Sequence, residues 1–215
     1  MARLLEACCV NAAQAKAALE GGAGRIELCE DIAAGGVTPA ERNIAETVAL
    51  GLPVNVLVRP RGGNFVFTAE EEARMLASID ACRRLGAAGV VIGALKEDGS
   101  IDMPMMERLV ARARGNDGER RLSVTFHRAF DECSDPAEAL EQIISLGCDR
   151  LLSSGQQPSA GEGQELLAAL VRQAGGRIIV MPGAGITPAN LDEIEKKTGA
   201  VEFHGTRICH SEQSV

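Results

Sequence analysis

Short apolar runs rich in β-branched residues alternate with longer helical patterns along this 215-residue chain, and that alternation narrows its fold more than any other feature. The runs predict strands at Leu4–Ala7, Arg25–Leu28, Val54–Val58, Val90–Gly93, Leu122–Phe126, Arg150–Ser153, Arg177–Met181 and Val201–Phe203. Helices are expected between them, near 11–21, 38–50, 68–85, 102–114, 135–146, 161–174 and 187–197. Thr38-Pro39, Asp135-Pro136 and Thr187-Pro188 each place a capping residue before a proline suited to the first helical position. A faint repeat supports the reading: a helix runs into glycine and a strand follows at GGAGRIEL (21–28), LGAAGVVIG (85–93), LGCDRLLSSG (146–155), AGGRIIVMPG (174–183) and TGAVEFHG (198–205).

Eight strands separated by helices must pair in parallel, because antiparallel neighbours would need only hairpins. A closed barrel and a doubly wound open sheet both satisfy that rule. No G-x-G-x-x-G follows the first strand, which argues against the dinucleotide-binding version of the open sheet. Strand–helix units of about 21 to 35 residues without a larger insertion favour closure. The expected fold is one α/β domain over residues 1–215, an eight-stranded parallel (β/α)8 TIM barrel close to the lower size limit of about 200 residues.

After the last strand, residues 205–215 show no apolar period and read as a mobile tail. A covering helix averages about 11–12 residues, so a full eighth helix is not expected. Val201, Phe203, Leu5 and Ala7 on the outer side of the first and last strands would then be thinly covered. This predicts a homo-oligomer, a two-fold dimer burying that side, unless the flanking helices lean in to close the gap.

Composition excludes several partners. The net charge is −8 with acidic residues spread along the chain, which disfavours nucleic acid and anionic membrane surfaces and leaves small cations open. Five Phe with no Tyr or Trp make a poor stacking platform for bases or sugars. Arg3 interrupts the first apolar run, so no signal-peptide core is expected, and no apolar stretch approaches the ~18 residues of a membrane span. The seven Cys therefore read as reduced thiols of a soluble, cytoplasmic protein.

Strand residues alternate between faces, and the outer face of a barrel strand lies under helices. With Ile26 and Leu28 outward, Arg25, Glu27 and Cys29 point inward. The same parity turns inward Glu6 and Cys8, then Asn55, Leu57 and Arg59 with Arg61 beyond, then Thr125 and His127, and finally Glu202 and His204. Barrel interiors are ordinarily layers of Val, Ile and Leu. One reading is a structural network in which Glu6, Glu27 and Glu202 neutralise Arg25 and Arg59. Against it, desolvating this many charges is costly without a use. Cys8, Cys29, His127 and His204 also sit at or just past strand ends, where barrel active sites occur.

Six segments, LLEACCVN (4–11), RIELCEDIAAGGVTP (25–39), VRPRGGNF (58–65), GALKEDGSID (93–102), VTFHRAFDECSDP (124–136) and VMPGAGIT (180–187), resemble in order the signatures of the CutC copper-homeostasis family. The likeness runs over about residues 4–207, with RPRGG and TFHRAFD its most specific parts. It implies a TIM barrel, a cytoplasmic location, a role in copper homeostasis and Cu(I) ligands at Cys8 and Cys29. Glu6, Glu27, Arg59, Arg61, His127 and His204 are further family positions present here. The chain departs at Ala7 and Cys9, where the family more often has a β-branched residue on each side of one Cys. Face parity still favours Cys8 over Cys9.

Adjacent parallel strands lie about 4.8 Å apart, so inward thiols on the first two can reach one soft metal. Thiolates without a third or fourth partner suit Cu(I) better than tetrahedral Zn(II). The bland alternative is that buried Cys acts as a small inert hydrophobe. A competing function is an enzyme for a small phosphate or carboxylate. Ser153-Ser154-Gly155, Pro182-Gly183-Ala184-Gly185 and Gly205-Thr206 resemble glycine-rich ends that cradle anions, although a glycine there also simply permits a tight turn. On that reading Arg59, Arg61, Gly183 and Gly185 bind the anion, and Glu27, His127 and Glu202 are the acid–base candidates. Schiff-base chemistry is disfavoured: Lys16, Lys196 and Lys197 fall in helices and Lys96 in a loop. Met103, Met105 and Met106 could serve as soft copper ligands but are read as packing for the start of the fourth helix; Cys209-His210 could chelate opportunistically, but a mobile terminus is the default reading.

Overall fold

The computed structural model describes residues 3–209. Its elements run β1 (Leu4–Cys9), α1 (Ala12–Glu20), β2 (Arg25–Leu28), α2 (Glu41–Val48), β3 (Val54–Leu57), α3 (Ala69–Arg84), β4 (Gly89–Ile92), α4 (Met103–Arg114), β5 (Ser123–Phe126), α5 (Pro136–Ser145), β6 (Arg150–Ser153), α6 (Gln164–Ala174), β7 (Ile179–Pro182), α7 (Leu191–Thr198) and β8 (Glu202–Gly205). Every ladder is parallel, and the strand order 7-6-5-4-3-2-1-8 brings the last strand back beside the first. β7 and β8 lie against each other but share no ladder among the described residues, so one seam closes by packing alone. This is a (β/α)8 barrel with seven helices among the described residues.

The alternation of the strands explains the layers. Ile26, Val56, Val90, Val124, Leu151 and Phe203 face outward and are fully buried under the helices in one continuous core. Their neighbours face the lumen, and the register sets Glu6 beside Arg25 on one side and His204 on the other. Met105 and Met106 are buried in the outer core, as their packing role requires.

Two helix starts differ from expectation. Thr38 does not cap α2, which begins at Glu41 without a side-chain cap. Its hydroxyl instead accepts the Arg59 N–H at 2.8 Å and donates to the Arg59 carbonyl at 3.1 Å, tying the loop after β2 to the end of β3. Thr187-Pro188 opens a turn rather than the helix: the Thr187 N–H donates to Asn190 Oδ1 at 2.9 Å, and α7 begins at Leu191. Asp135 does cap α5, accepting the N–H groups of Ala137 and Glu138 at 3.0 Å each.

The side expected to be thinly covered is mostly shielded. Ala7 and Phe203 are buried, and only Val201 is substantially open, at 42% exposure. Past β8 the chain folds back, burying Ile208 and bringing Cys209 against Gly21 at the end of α1. Gly205, Ile208 and Cys209 thus pack back on the barrel while Thr206 and Arg207 stay exposed, and the case for association through this side narrows to Val201. Residues 210–215, including His210 of the Cys209-His210 pair, lie outside the described residues. Among the described residues no helix is long and apolar enough to cross a membrane.

Replacing Asp135 with Ala removes two hydrogen bonds at the start of α5. We expect a loss of about 1 kcal/mol, read as a lower urea midpoint at unchanged slope.

Candidate functional site

The lumen is built in two levels. In the lower one, Arg25 bridges Glu6 and Glu202, with a contact of 2.5 Å to Glu202, and Arg150 meets the same Glu202 oxygen at 2.7 Å. Asn55 Nδ2 donates to Glu6 Oε2 at 3.1 Å, and His204 Nδ1 lies 3.0 Å from Glu6 Oε1. Burial alone would raise the Glu6 pKa, but the His204 hydrogen bond and the Arg25 charge hold it well below the usual carboxylate range. Burial likewise opposes the charged form of His204, yet the Glu27 and Glu6 carboxylates raise its pKa overall. The structural network is therefore real, but its cations are Arg25 and Arg150. Glu27 touches it only through His204, whose Nδ1 lies 4.0 Å from Glu27 Oε2, and Arg59 stands apart.

Above this floor opens a cavity of about 330 Å³ at the C-terminal ends of the strands. Cys8 and Cys29 line it with their Sγ atoms 3.7 Å apart. Donor atoms of Cys8, Glu27 and His204 all lie within 4.8 Å of one another. At ~2.3 Å per metal–sulfur bond a linear S–metal–S unit spans about 4.6 Å, so the observed spacing suits a bent arrangement with room for a third donor. Glu27 offers one, since its Oε2 is buried without a hydrogen-bond partner. Burial pushes the Glu27 carboxyl up to about 7, with the Glu6 charge adding to the rise and His204 opposing it. The hydrogen bond to Cys29, burial and the Glu27 charge push the Cys8 thiol well above its ordinary range. The doubled cysteine resolves as parity requires: Cys8 faces the lumen, and Cys9 sits in the outer core.

On the opposite wall, Arg59 is not an open clamp. Its Nη1 donates to the carbonyls of Gly35 and Gly36 at 3.1 Å and its Nη2 to Gly63 O at 2.5 Å, pinning the loop after β2. Arg61 is turned away from the cavity, donating to Glu71 at 2.6 Å and to Val66 O at 2.7 Å. Strand parity stops where the strand does, which is why it misplaced Arg61. Gly183 spends its N–H on Ser153 O at 2.9 Å, whereas Gly185 lines the cavity. Glu202 belongs to the lower network and does not reach the cavity.

His127 lines the cavity but makes no hydrogen bond to Glu6, Glu27 or Glu202, so the acid–base pair expected for it does not form. Its Nδ1 accepts the Ala129 N–H at 3.1 Å, and burial together with the Arg59 charge pushes its pKa down to about 3. Gly93 makes its position possible, since a Cβ there would come within 2.6 Å of the imidazole. The imidazole that does meet carboxylates is His204. Two charged lining residues escaped the sequence reading, Arg128 and Arg207, as did the apolar Phe65, Leu152 and Ile186. Arg128 directly follows His127 in the TFHRAFD segment, and its charge next to an inward imidazole was the available signal.

Comparison with known proteins places these features in context. Residues 3–209 match the model of the CutC family. A protein named CutC from Parabacteroides distasonis is 48% identical over 206 residues, covering 95% of this chain and 82% of the relative. Another, from Xylella fastidiosa, is 49% identical over 203 residues, covering 94% and 74%. The solved structure provisionally described as the copper homeostasis protein CutC from Streptococcus agalactiae superposes with a TM-score of 0.89 at 34% identity, covering 96% of this chain and 99% of that one. A thiamine phosphate pyrophosphorylase from Pyrococcus furiosus, at TM-score 0.61 and 16% identity over 98% of this chain and 88% of its own, shares the barrel alone.

The raised Glu27 carboxyl carries a stability consequence. Below about pH 4.5 it is protonated in the folded and unfolded chain alike and costs nothing; up to about 7 the folded state keeps a proton that the unfolded chain has lost. Stability therefore falls as pH rises through that window. Glu27→Gln should be more stable than the parent at pH 8, by about 3 kcal/mol, with the gain fading toward pH 4.5. Urea denaturation of the metal-free protein at both pH values checks this, and an equal gain at each would contradict it.

Proposed function

The chain belongs to the CutC family, and from that premise we propose that it is a cytoplasmic copper-homeostasis protein that binds Cu(I) as cargo between Cys8 and Cys29. The observation that carries this reading is the 3.7 Å approach of two thiols on the wall of a cavity at the barrel mouth. Soft thiolates favour Cu(I) over hard or borderline cations. The harder donors nearby are less free, since His204 is held by Glu6 and Glu27 is neutral for much of the pH range below 7. The name given to the Streptococcus agalactiae structure points to the same metal. All seven cysteines are free thiols, which fits the reducing cytoplasm.

A Cys8 thiol raised this far is protonated in the metal-free protein, so Cu(I) must displace a proton to form the thiolate pair. Apparent Cu(I) affinity should rise about tenfold per pH unit for each proton released. Anaerobic titration of the reduced protein against a competing Cu(I) chelator, from pH 6 to pH 8, measures this directly. Cys8→Ser and Cys29→Ser should each weaken binding by at least about two orders of magnitude and flatten the pH dependence. Unchanged affinity in the double variant, or stronger retention of Zn(II) than Cu(I), would overturn the proposal.

A further inference from the structure

The cavity is larger than an ion needs. Its 330 Å³ is about eleven times the ~30 Å³ that one water occupies in the liquid. Leu57, Phe65, Leu152 and Ile186 give it an apolar wall. The wall is crossed by a stack in which the Arg59 guanidinium lies 4.6 Å from the Phe65 ring centre, and Phe65 lies 4.9 Å from the His127 ring. Both residues flanking Phe65 carry a buried polar atom without a partner: Arg59 Nε and His127 Nε2. Arg59 is 6% exposed and His127 5%.

Both orphans are donors. Arg59 Nε carries a hydrogen, while its terminal nitrogens serve the loop carbonyls. At His127 the tautomer follows from Nδ1, which accepts a backbone N–H, so the neutral ring carries its hydrogen on Nε2. A buried donor left unmet costs roughly 1–3 kcal/mol, and two on one wall call for an acceptor. Further positive potential surrounds them. Arg128 is fixed from behind, its Nε donating to Asp131 at 2.8 Å and its Nη2 to Ser154 Oγ at 3.1 Å, and its Nη1 has no protein acceptor among the described residues. On the facing lip, Arg207 adds a second cation. Beside it the N–H groups of Ala184, Gly185 and Ile186 find no acceptor among the described residues. Ala184 is held there at a φ of 74°, a left-handed conformation that costs a residue with a side chain.

We infer that this cavity is a binding site for a small organic anion, a carboxylate or phosphate ester whose oxygens accept from Arg59 Nε, His127 Nε2 and Arg128. Its apolar body lies along Leu57, Phe65, Leu152 and Ile186, and its far end points toward the thiol pair. The site does not depend on copper: its donors belong to the loops after β3, β5 and β7, and neither thiol contributes to them.

The test uses the reduced, metal-free chain with phenyl phosphate and benzoate as probes, and benzyl alcohol as the uncharged control of similar size. Either anion should bind saturably by calorimetry and raise the thermal midpoint by about 3 °C at tenfold saturation, while benzyl alcohol does neither. Arg128→Gln, at an exposed position, and His127→Phe, which keeps the ring and removes the donor, should each weaken anion binding at least tenfold. Should His127→Phe not fold, Arg128→Gln decides alone. Binding should also shift the His127 Nε2–H resonance of the parent. Cys8→Ser with Cys29→Ser should leave anion binding intact, which separates failure here from failure of the copper reading. No binding of either anion at about 10 mM, equal binding of benzyl alcohol, or parent-like binding by Arg128→Gln would overturn the inference.

Discussion

Glu6 stands in the lumen where a barrel of this type ordinarily has an aliphatic side chain, and none of its surface reaches solvent. Arg25 on β2, Asn55 on β3 and His204 on β8 all direct a polar group at it. A buried ion pair is weak evidence for stability, since a well-packed apolar replacement often does as well. Removing one partner is another matter: it strands a charge and typically costs about 3–5 kcal/mol. The network therefore acts as a lock on geometry. It matters most for β8, which has a hydrogen-bonded neighbour on one side only.

That lock shapes the cavity above it. Because Glu6 and Glu202 take up Arg25 and Arg150, Glu27 sits one layer higher with an oxygen that accepts no hydrogen bond and no arginine of its own, only the His204 imidazole 4.0 Å away. Arg59, the charge that parity suggested for it, is spent on loop carbonyls. The result is a cavity with two unlike poles. Thiols, a carboxyl and an imidazole gather on the β1, β2 and β8 side; donors that lack acceptors gather across from them. The hydrogen bond to Cys29 and burial, helped by the Glu27 charge, keep the proton on Cys8, and burial together with the Arg59 charge keeps the His127 ring neutral.

Much of this was legible from residue type and spacing. Outward Ile26 and Leu28 fix the inward set on β2, and the same parity correctly turned Glu6, Cys8, His127, Glu202 and His204 into the lumen. Parity worked because a strand confined between helices and a lumen has only two directions for a side chain. It failed where the backbone left the strand. Arg59 and Arg61 follow β3; Arg59 is directed by carbonyls of the loop after β2, distant in sequence, and Arg61 by Val66 and Glu71 of the loop and helix that follow it. Thr38 has the form of a helix cap, yet the end of β3 competes for its hydroxyl. No local pattern reports that competition. Arg207 carried no signal for the same reason, whereas Arg128 had one in the inward imidazole it follows.

The connection between Glu6 and His204 spans 198 residues of chain. During synthesis Glu6 leaves the ribosome well before Glu202 and His204, which are among the last side chains of the barrel to follow. For nearly all of that interval β1 can pair with β2 but not with β8, and the carboxylate lacks the imidazole that the finished lumen supplies. Contacts of such sequence separation form late and slow the folding of a domain. Until β8 emerges, β1 therefore has an unpaired edge and the lumen cannot close. The same charges that hold the mature structure in register make it an obligate late closer, dependent on its own last strand.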